Sequence, residues 1–263
     1  AASRGEYLNG KVIAAYLGFP FVDAAEVIFF QPDGSLNDEK TEKVLRERLS
    51  GLENAVIPGF YGCGADGYVK TFSRGGSDVT GSIVAGAVKA SLYENWTDVS
   101  GFLVADPRIV DDPAVIRTIT YTELRELSYM GASVLHEAAI FPVRSAGIPI
   151  NIRNTNAPDE PGTMIVPDST DEELSAYTIT GIAGKKDFTS INIHKDLMNS
   201  QIGFCRDVLN VLSEHQIPLE HMPSSIDSMT VIVDSAHLNG LEDEIRTEII
   251  KAVQPDSIET LLW

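Results

Sequence analysis

Within Thr71 to Ala90, TFSRGGSDVTGSIVAGAVKA, five consecutive residues precede a run of small apolar side chains. They gather a guanidinium (Arg74), two stretches of bare backbone (Gly75, Gly76), a hydroxyl (Ser77) and a carboxylate (Asp78). A strand running through such a turn into a helix makes an anion site. The first amides of a helix have no partner inside it, and they sit at the positive end of its dipole. The two glycines let a ligand approach the main chain, and Arg74 can grip a carboxylate through its planar fork. Asp78 would repel a simple anion. A ligand carrying both an ammonium and a carboxylate, an amino acid, satisfies all five residues. An ordinary tight turn with Asp78 capping the helix uses the same residue types, and both readings stand at this level.

Composition narrows the partners. The chain has 263 residues, 43% hydrophobic, with a formal net charge of −18, which suits one large or two ordinary soluble domains. Such an acidic chain is a poor partner for nucleic acid or an anionic membrane, since phosphate binding needs a cationic face. Its two cysteines, Cys63 and Cys205, form neither a disulfide framework nor a zinc spacing, and each reads as a small buried apolar residue. No residue is assigned to a metal. With no apolar run of membrane-spanning length and no signal-peptide pattern, the expected location is the cytoplasm.

Elements must hold the turn in place. From Ala1, where Leu8, Val12, Ile13, Tyr16 and Leu17 recur at helical spacing, to about Val166, helical and strand-like segments alternate as in an α/β domain. EVIFF and AVIPGF read as buried strands around a helical EKTEKVLRERLS. GYVKTF leads into the glycine turn, and a helix is expected from Ser77 to about Leu92. TITY leads into a long helix with Thr122 as its N-cap and Gly147 as its stop, followed by the strand IPINIRN. NTNAPDEPGTMIVPDSTDEELSA reads as a surface connection. Beyond it, FTSINIH, GFCRDVLNVLSEHQ, IPLEHMPSS, MTVIVDS, GLEDEIRTEIIKAV and SIETLL follow the order βαββαβ of a ferredoxin-like unit. Two domains are expected, 1–170 and 171–263.

The motifs SRGE (Ser3 to Glu6), RGGSD (Arg74 to Asp78), WTDVSGFLVADPR (Trp96 to Arg108) and GASVLHEAAIFP (Gly131 to Pro142) occur in the order found in aspartate kinases, of the amino-acid kinase superfamily. The tail from TITGIAGKKDF resembles their regulatory ACT domain, so the resemblance covers essentially the whole chain. It implies a three-layer α/β amino-acid kinase domain followed by an ACT unit. It also implies ATP- and Mg²⁺-dependent phosphorylation of the L-aspartate β-carboxylate to 4-phospho-L-aspartate, a first step toward lysine, threonine and methionine. By motif, Arg74 falls on the substrate α-carboxylate with Gly75 and Gly76 beside it, Glu6 near the ammonium, and Ser77 and Asp78 at the reacting end. Thr97 and Asp98 fall at the base and ribose, and Arg108 at a phosphate or ribose contact. Two nucleotide positions depart from the family: Leu103 stands where an aromatic residue is common, and Ser133 where a lysine is. His136, on an apolar helix face, reads as a packing residue.

ACT domains pair side by side and bind an amino-acid effector between them. The resemblance therefore implies a homodimer with lysine or threonine near Met198, Gln201, Gly203, Phe204, Pro218, Leu219 and Glu220. Amides at the start of the helix opening at Gly203 can meet a carboxylate, and Glu220 an ammonium. In the alternative, Met198 and Phe204 plug a core and Glu220 is a solvated strand residue. Two further expectations concern the ends. The family's Lys-Phe-Gly-Gly-type loop has no counterpart before Glu6, which implies a fragment impaired in catalysis by itself. A second ACT domain would follow Trp263, leaving Tyr177 to Ala183 as an under-paired strand. The competing functional class is a catalytically inactive module that binds an amino-acid effector.

Overall fold

The computed structural model describes residues 1–73, 75–129, 137–167 and 179–262. Arg74, Ser133, His136 and Tyr177 lie outside them. The chain divides into two compact units, 1–183 and 184–263. The division is later than the 170/171 boundary read from composition, because the connection is tied to the first unit. The Ile182 amide donates to the Val104 carbonyl at 2.7 Å, and the Thr180 hydroxyl donates to Glu123. So 179–183 is held there and does not form the sheet strand expected of it.

In the first unit, α1 (Arg4–Leu17) buries Gly10 and Ala14. The apolar residues that mark its helical period lie largely in solvent: Leu8 is 60%, Val12 65% and Tyr16 85% exposed. The packed face is the small one, since a Cβ at Gly10 would lie 3.2 Å from the Phe21 ring and 3.3 Å from Pro58. EVIFF is not a strand throughout. Asp23 caps a short helix α2 (Ala24–Val27), its side chain accepting from the Ala25 amide, and only isolated bridges such as Phe29 with Cys63 follow. After α3 (Asp38–Leu49), β1 (Tyr61–Cys63) and β2 (Val69–Thr71) form an antiparallel hairpin turning at Gly67, whose φ is 81°.

The glycine turn opens α4 (Gly76–Val88), which ends at Lys89 in the left-handed region, short of the expected Leu92. Next come β3 (Tyr93–Thr97), β4 (Thr118–Thr120), α5 (Tyr121–Tyr129), α6 (Glu137–Ser145), β5 (Ile150–Asn154) and β6 (Thr163–Val166). Helix α5 starts earlier than Thr122 because Thr120 caps it. The Glu123 carboxylate accepts from the Thr120 amide at 2.9 Å while the Thr120 hydroxyl accepts from the Glu123 amide, a reciprocal capping box. Strand β6 lies inside the stretch read as a surface connection, where TMIV is too short between prolines to declare itself.

The sheet order is β3-β5-β6-β4, with β3 parallel to β5, β5 antiparallel to β6, and β6 parallel to β4. Its core includes Ile28, Leu45, Tyr61, Phe102, Ile119, Leu124, Ile150, Ile152 and Ile165.

The second unit contains β7 (Phe188–His194), α7 (Phe204–Glu214), β8 (Ser228–Asp234), a one-turn helix α8 (Ser235–Leu238), α9 (Glu242–Val253) and β9 (Ser257–Leu262). The sheet order is β8-β7-β9, all antiparallel. The expected second strand, IPLEHMPSS, survives only as bridges from His221 to Ile232 and from Ser224 to Met229, since Pro218 and Pro223 remove ladder donors. With those bridges on the β8 edge, the unit keeps the ferredoxin-like arrangement. Ile191, Ile193, Phe204, Val208, Leu212, Met229, Val231, Val233, Ile245 and Ile249 fill its core. Cys205 is exposed and Cys63 half-buried, against the reading of both as buried packing. Among the described residues, no helix is long and apolar enough to cross a membrane.

Candidate functional site

Helix α4 begins without a side-chain cap. Gly75 precedes it in the left-handed region at φ 57°, and the carbonyl of Gly75 accepts the first intrahelical bond from Val79. The amides of residues 76 to 78 therefore have no partner within the helix, and Asp78 sits in the first turn, half-buried, beside an exposed Ser77. Among the described residues, the Asp78 carboxylate accepts from Asn95 of β3.

The turn is wedged from two sides. A Cβ at Gly59 would lie 2.9 Å from the Ser77 Cα, and one at Gly76 would lie 2.9 Å from both Phe60 Cα and Phe72 Cβ. The Phe60 amide donates to the Thr80 hydroxyl at 3.2 Å, and that hydroxyl donates to the Gly76 carbonyl at 2.7 Å. Gly10 of α1 packs on Pro58, the residue before Gly59. The segment 58–60 thus contacts the helix that carries Glu6 on one side and the first turn of α4 on the other.

Beneath the turn, β3 supplies polar support. The buried Asn95 amide, 9% exposed, donates to Asp78 Oδ1 at 3.0 Å and to the Tyr93 hydroxyl oxygen at 3.0 Å. The Tyr93 hydroxyl donates to the Asp78 main-chain carbonyl at 3.2 Å. Burial pushes the Tyr93 phenol above its ordinary range, so it remains a donor at physiological pH.

The same strand ends at Thr97, and Asp98 follows it. The Thr97 carbonyl accepts from both the amide and the hydroxyl of Thr155, at 2.8 and 2.9 Å, and the Asn154 amide donates to the Ser100 hydroxyl at 2.9 Å. Asp98 is exposed at this rim, which is the carboxyl end of the parallel pair β3 and β5. That end is where open α/β sheets place ligands. Asn95 and Thr97 are two residues apart, so the support for Asp78 and the Thr97 rim are separated by about 7 Å along the strand.

The other expected nucleotide contacts are placed less directly. Leu103 is half-buried and bridges Val115. The exposed Arg108 is engaged by Asp106, with Nε 3.0 Å and Nη2 2.6 Å from its carboxylate, and those bonds hold the Asp106 carboxyl down to about 2. Arg74 and Ser133 lie outside the described residues.

In the second unit the expected effector residues separate. Met198 (4% exposed) and Phe204 (2%) are core side chains, so only their main chain is available to a ligand. Gln201 and Gly203 precede α7, with Gly203 at φ 89°, whereas Pro218, Leu219 and Glu220 follow it. An 11-residue helix is about 16 Å long, so one unit does not bring the two groups together.

Sequence reasoning missed Asn95 and Tyr93. The signal was present: a β-period of polar residues, Tyr93, Asn95 and Thr97, on one face of a strand that runs into TDVSG.

The sequence profile described as the amino acid kinase family matches residues 1–154. The chain belongs to that family. Its residues are 41% identical over 264 aligned positions to Aspartokinase 3 of Bacillus subtilis, covering 97% of this chain and 56% of that protein. They are 30% identical over 219 positions to Lysine-sensitive aspartokinase 3 of Escherichia coli, covering 83% and 47%. Among solved structures, the aspartate kinase of Clostridium acetobutylicum superposes with a TM-score of 0.84 at 56% identity, covering 98% of this chain and 59% of that one. The chain therefore spans about half the length of the curated relatives it matches.

Proposed function

We propose that this amino acid kinase family chain belongs to an aspartate kinase, which transfers the γ-phosphoryl group of ATP to the β-carboxylate of L-aspartate and yields 4-phospho-L-aspartate, toward lysine, threonine and methionine. The observation that carries the reading is the uncapped start of α4, held by the strand that ends at Thr97, just before Asp98. The names of the relatives support it. A cytoplasmic location suits it, since ATP and free aspartate are both available there.

The residues divide as the chemistry requires. Helix-start amides at 76–78 take an anionic group, with Arg74 assigned to the substrate α-carboxylate and Glu6 to its ammonium. Ser77 and Asp78 face the reacting carboxylate and orient it for in-line attack. Thr97, Asp98, Leu103, Arg108 and Ser133 are assigned to the nucleotide. Transfer of this kind asks for positioning and charge neutralisation and needs no covalent nucleophile. Mg²⁺, when bound with ATP, supplies charge neutralisation at the phosphates. The oxygen donors Asp78 and Asp98 suit a hard cation.

The second unit is read as an ACT domain that pairs with a second copy and takes lysine or threonine between the copies. Two experiments test these readings. In the complete native chain carrying this sequence, a coupled assay should show ADP release that requires L-aspartate, and Asp78→Asn should lower kcat about 100-fold or more. Release that ignores aspartate would refute the kinase reading. A calorimetric titration should give heat and a raised melting temperature with lysine or threonine; no response to either removes the effector assignment.

A further inference from the structure

The mechanism above leaves one buried polar group on β3 unused. Asn95 lies at the centre of the strand, on the face turned toward α4, and is 9% exposed. Its side-chain nitrogen is 3.0 Å from Asp78 Oδ1 and 3.0 Å from the Tyr93 oxygen. The Asn95 nitrogen is the donor in both contacts, so the two hydrogens of its NH₂ are both committed. The Tyr93 hydroxyl, accepting one of them, turns its own hydrogen to the Asp78 main-chain carbonyl at 3.2 Å. The three residues form a closed cycle that holds Asp78 by both its side chain and its main chain.

The cycle is built into the packing. A Cβ at Gly81 would lie 2.6 Å from the Tyr93 oxygen, so α4 keeps a glycine where the phenol reaches it. Burying an amide and a phenol beneath a first-turn aspartate costs free energy unless their hydrogen bonds are made, and here the amide NH₂ donates twice while the phenol both accepts and donates. Two positions beyond Asn95, the strand ends at Thr97, whose carbonyl is fixed by Thr155. One rigid element thus sets the position of Asp78 relative to the Thr97–Asp98 rim.

We infer that Asn95, with Tyr93 behind it, is the positioning residue that holds Asp78 at a fixed distance from the nucleotide rim, so that acceptor and donor are aligned before transfer. This rests on the kinase reading, because it assigns Asn95 its role through Asp78. It predicts an effect on turnover rather than on nucleotide affinity. A reacting pair displaced by about 1 Å loses on the order of 100-fold in rate.

The test is a mutant cycle in the complete native chain, read by steady-state kinetics and melting temperature. Asn95→Leu, similar in volume, should lower kcat roughly 10- to 100-fold while KM for ATP stays within about twofold. The double variant Asn95→Leu/Asp78→Asn should be no slower than Asp78→Asn alone, since Asn95 acts only through that carboxylate. Should Asn95→Leu fail to fold, Tyr93→Phe removes the two edges of the cycle that use the hydroxyl, keeps the ring and leaves the Asn95–Asp78 bond, and its smaller kcat loss should likewise vanish in the Asp78→Asn background. Losses that multiply in the double variant, or an Asn95→Leu enzyme with normal kcat, overturn the inference and leave the kinase reading intact. An Asp78→Asn enzyme with undiminished kcat overturns the inference together with the role given to Asp78, and absence of aspartate-dependent ADP release refutes the kinase reading itself.

Discussion

The Tyr93 hydroxyl occupies the space that a side chain at Gly81 would need, with 2.6 Å between them for an ideally placed Cβ. That oxygen is also an anchor for Asp78. Gly81→Ala must therefore push the phenol aside or lift α4 from β3. We expect a loss of about 1–3 kcal/mol in stability. A urea melt of the variant, set against Tyr93→Ala and the double variant, checks this. Most of the cost of the new methyl should disappear when the ring is gone.

Gly59 abuts the Ser77 main chain at a separation that leaves no room for a methyl. Backbone cannot swing away as a long side chain can, so Gly59→Ala should displace the first turn of α4. The expected result is a fall in activity of about 10-fold or more, with the secondary structure seen by circular dichroism retained.

Arg108 already gives its Nε and Nη2 to Asp106. A guanidinium has five donor hydrogens, so a phosphate can take those that Asp106 does not use. If Arg108 meets a nucleotide phosphate, Arg108→Ala should weaken ADP binding about 10-fold or more, by the worth of a charge-assisted hydrogen bond. Isothermal titration measures it, and an unchanged affinity would leave Arg108 as a surface charge.

His215, just after α7, meets Glu248 of α9 at 2.9 Å, and that bond raises the imidazole above its ordinary value of 6.5, with Glu244 and Glu214 adding to it. A pKa raised in the folded state means stabilisation fully present below about 6.5 and lost as pH climbs through the folded value. The second unit should therefore melt at lower temperature as pH rises from 6 to about 8. Glu248→Gln should flatten that dependence in thermal melts taken across the range.

Much of the second unit is legible in its sequence because its period and its burial agree. Ile191 and Ile193 alternate on β7, and Phe204, Val208, Val211 and Leu212 recur on α7, and all are core. The first unit conceals more. On α1 the conspicuous apolar residues are exposed and the buried ones are Gly10 and Ala14, because close approach to Phe21 and Pro58 selects for smallness, to which hydrophobic periodicity is blind. Strand β6 hides between prolines. At the site, Gly75, Gly76 and Asp78 announce themselves through an unusual local composition. Their supports do not: Asn95 is 17 residues further along the chain from Asp78, and only the pairing of β3 with α4 puts it underneath. Local motifs reveal what touches a ligand, while groups that hold a motif in place are scattered by the fold.

The separation of Gly203 from Pro218 by the length of α7 has a consequence for regulation. On the proposed effector assignment, a lone copy carries the two halves of the site at opposite ends of α7, and a complete cleft needs a second copy. A sensor of that kind would answer to its own abundance as well as to the metabolite. Diluting the protein should blunt the response even at saturating effector.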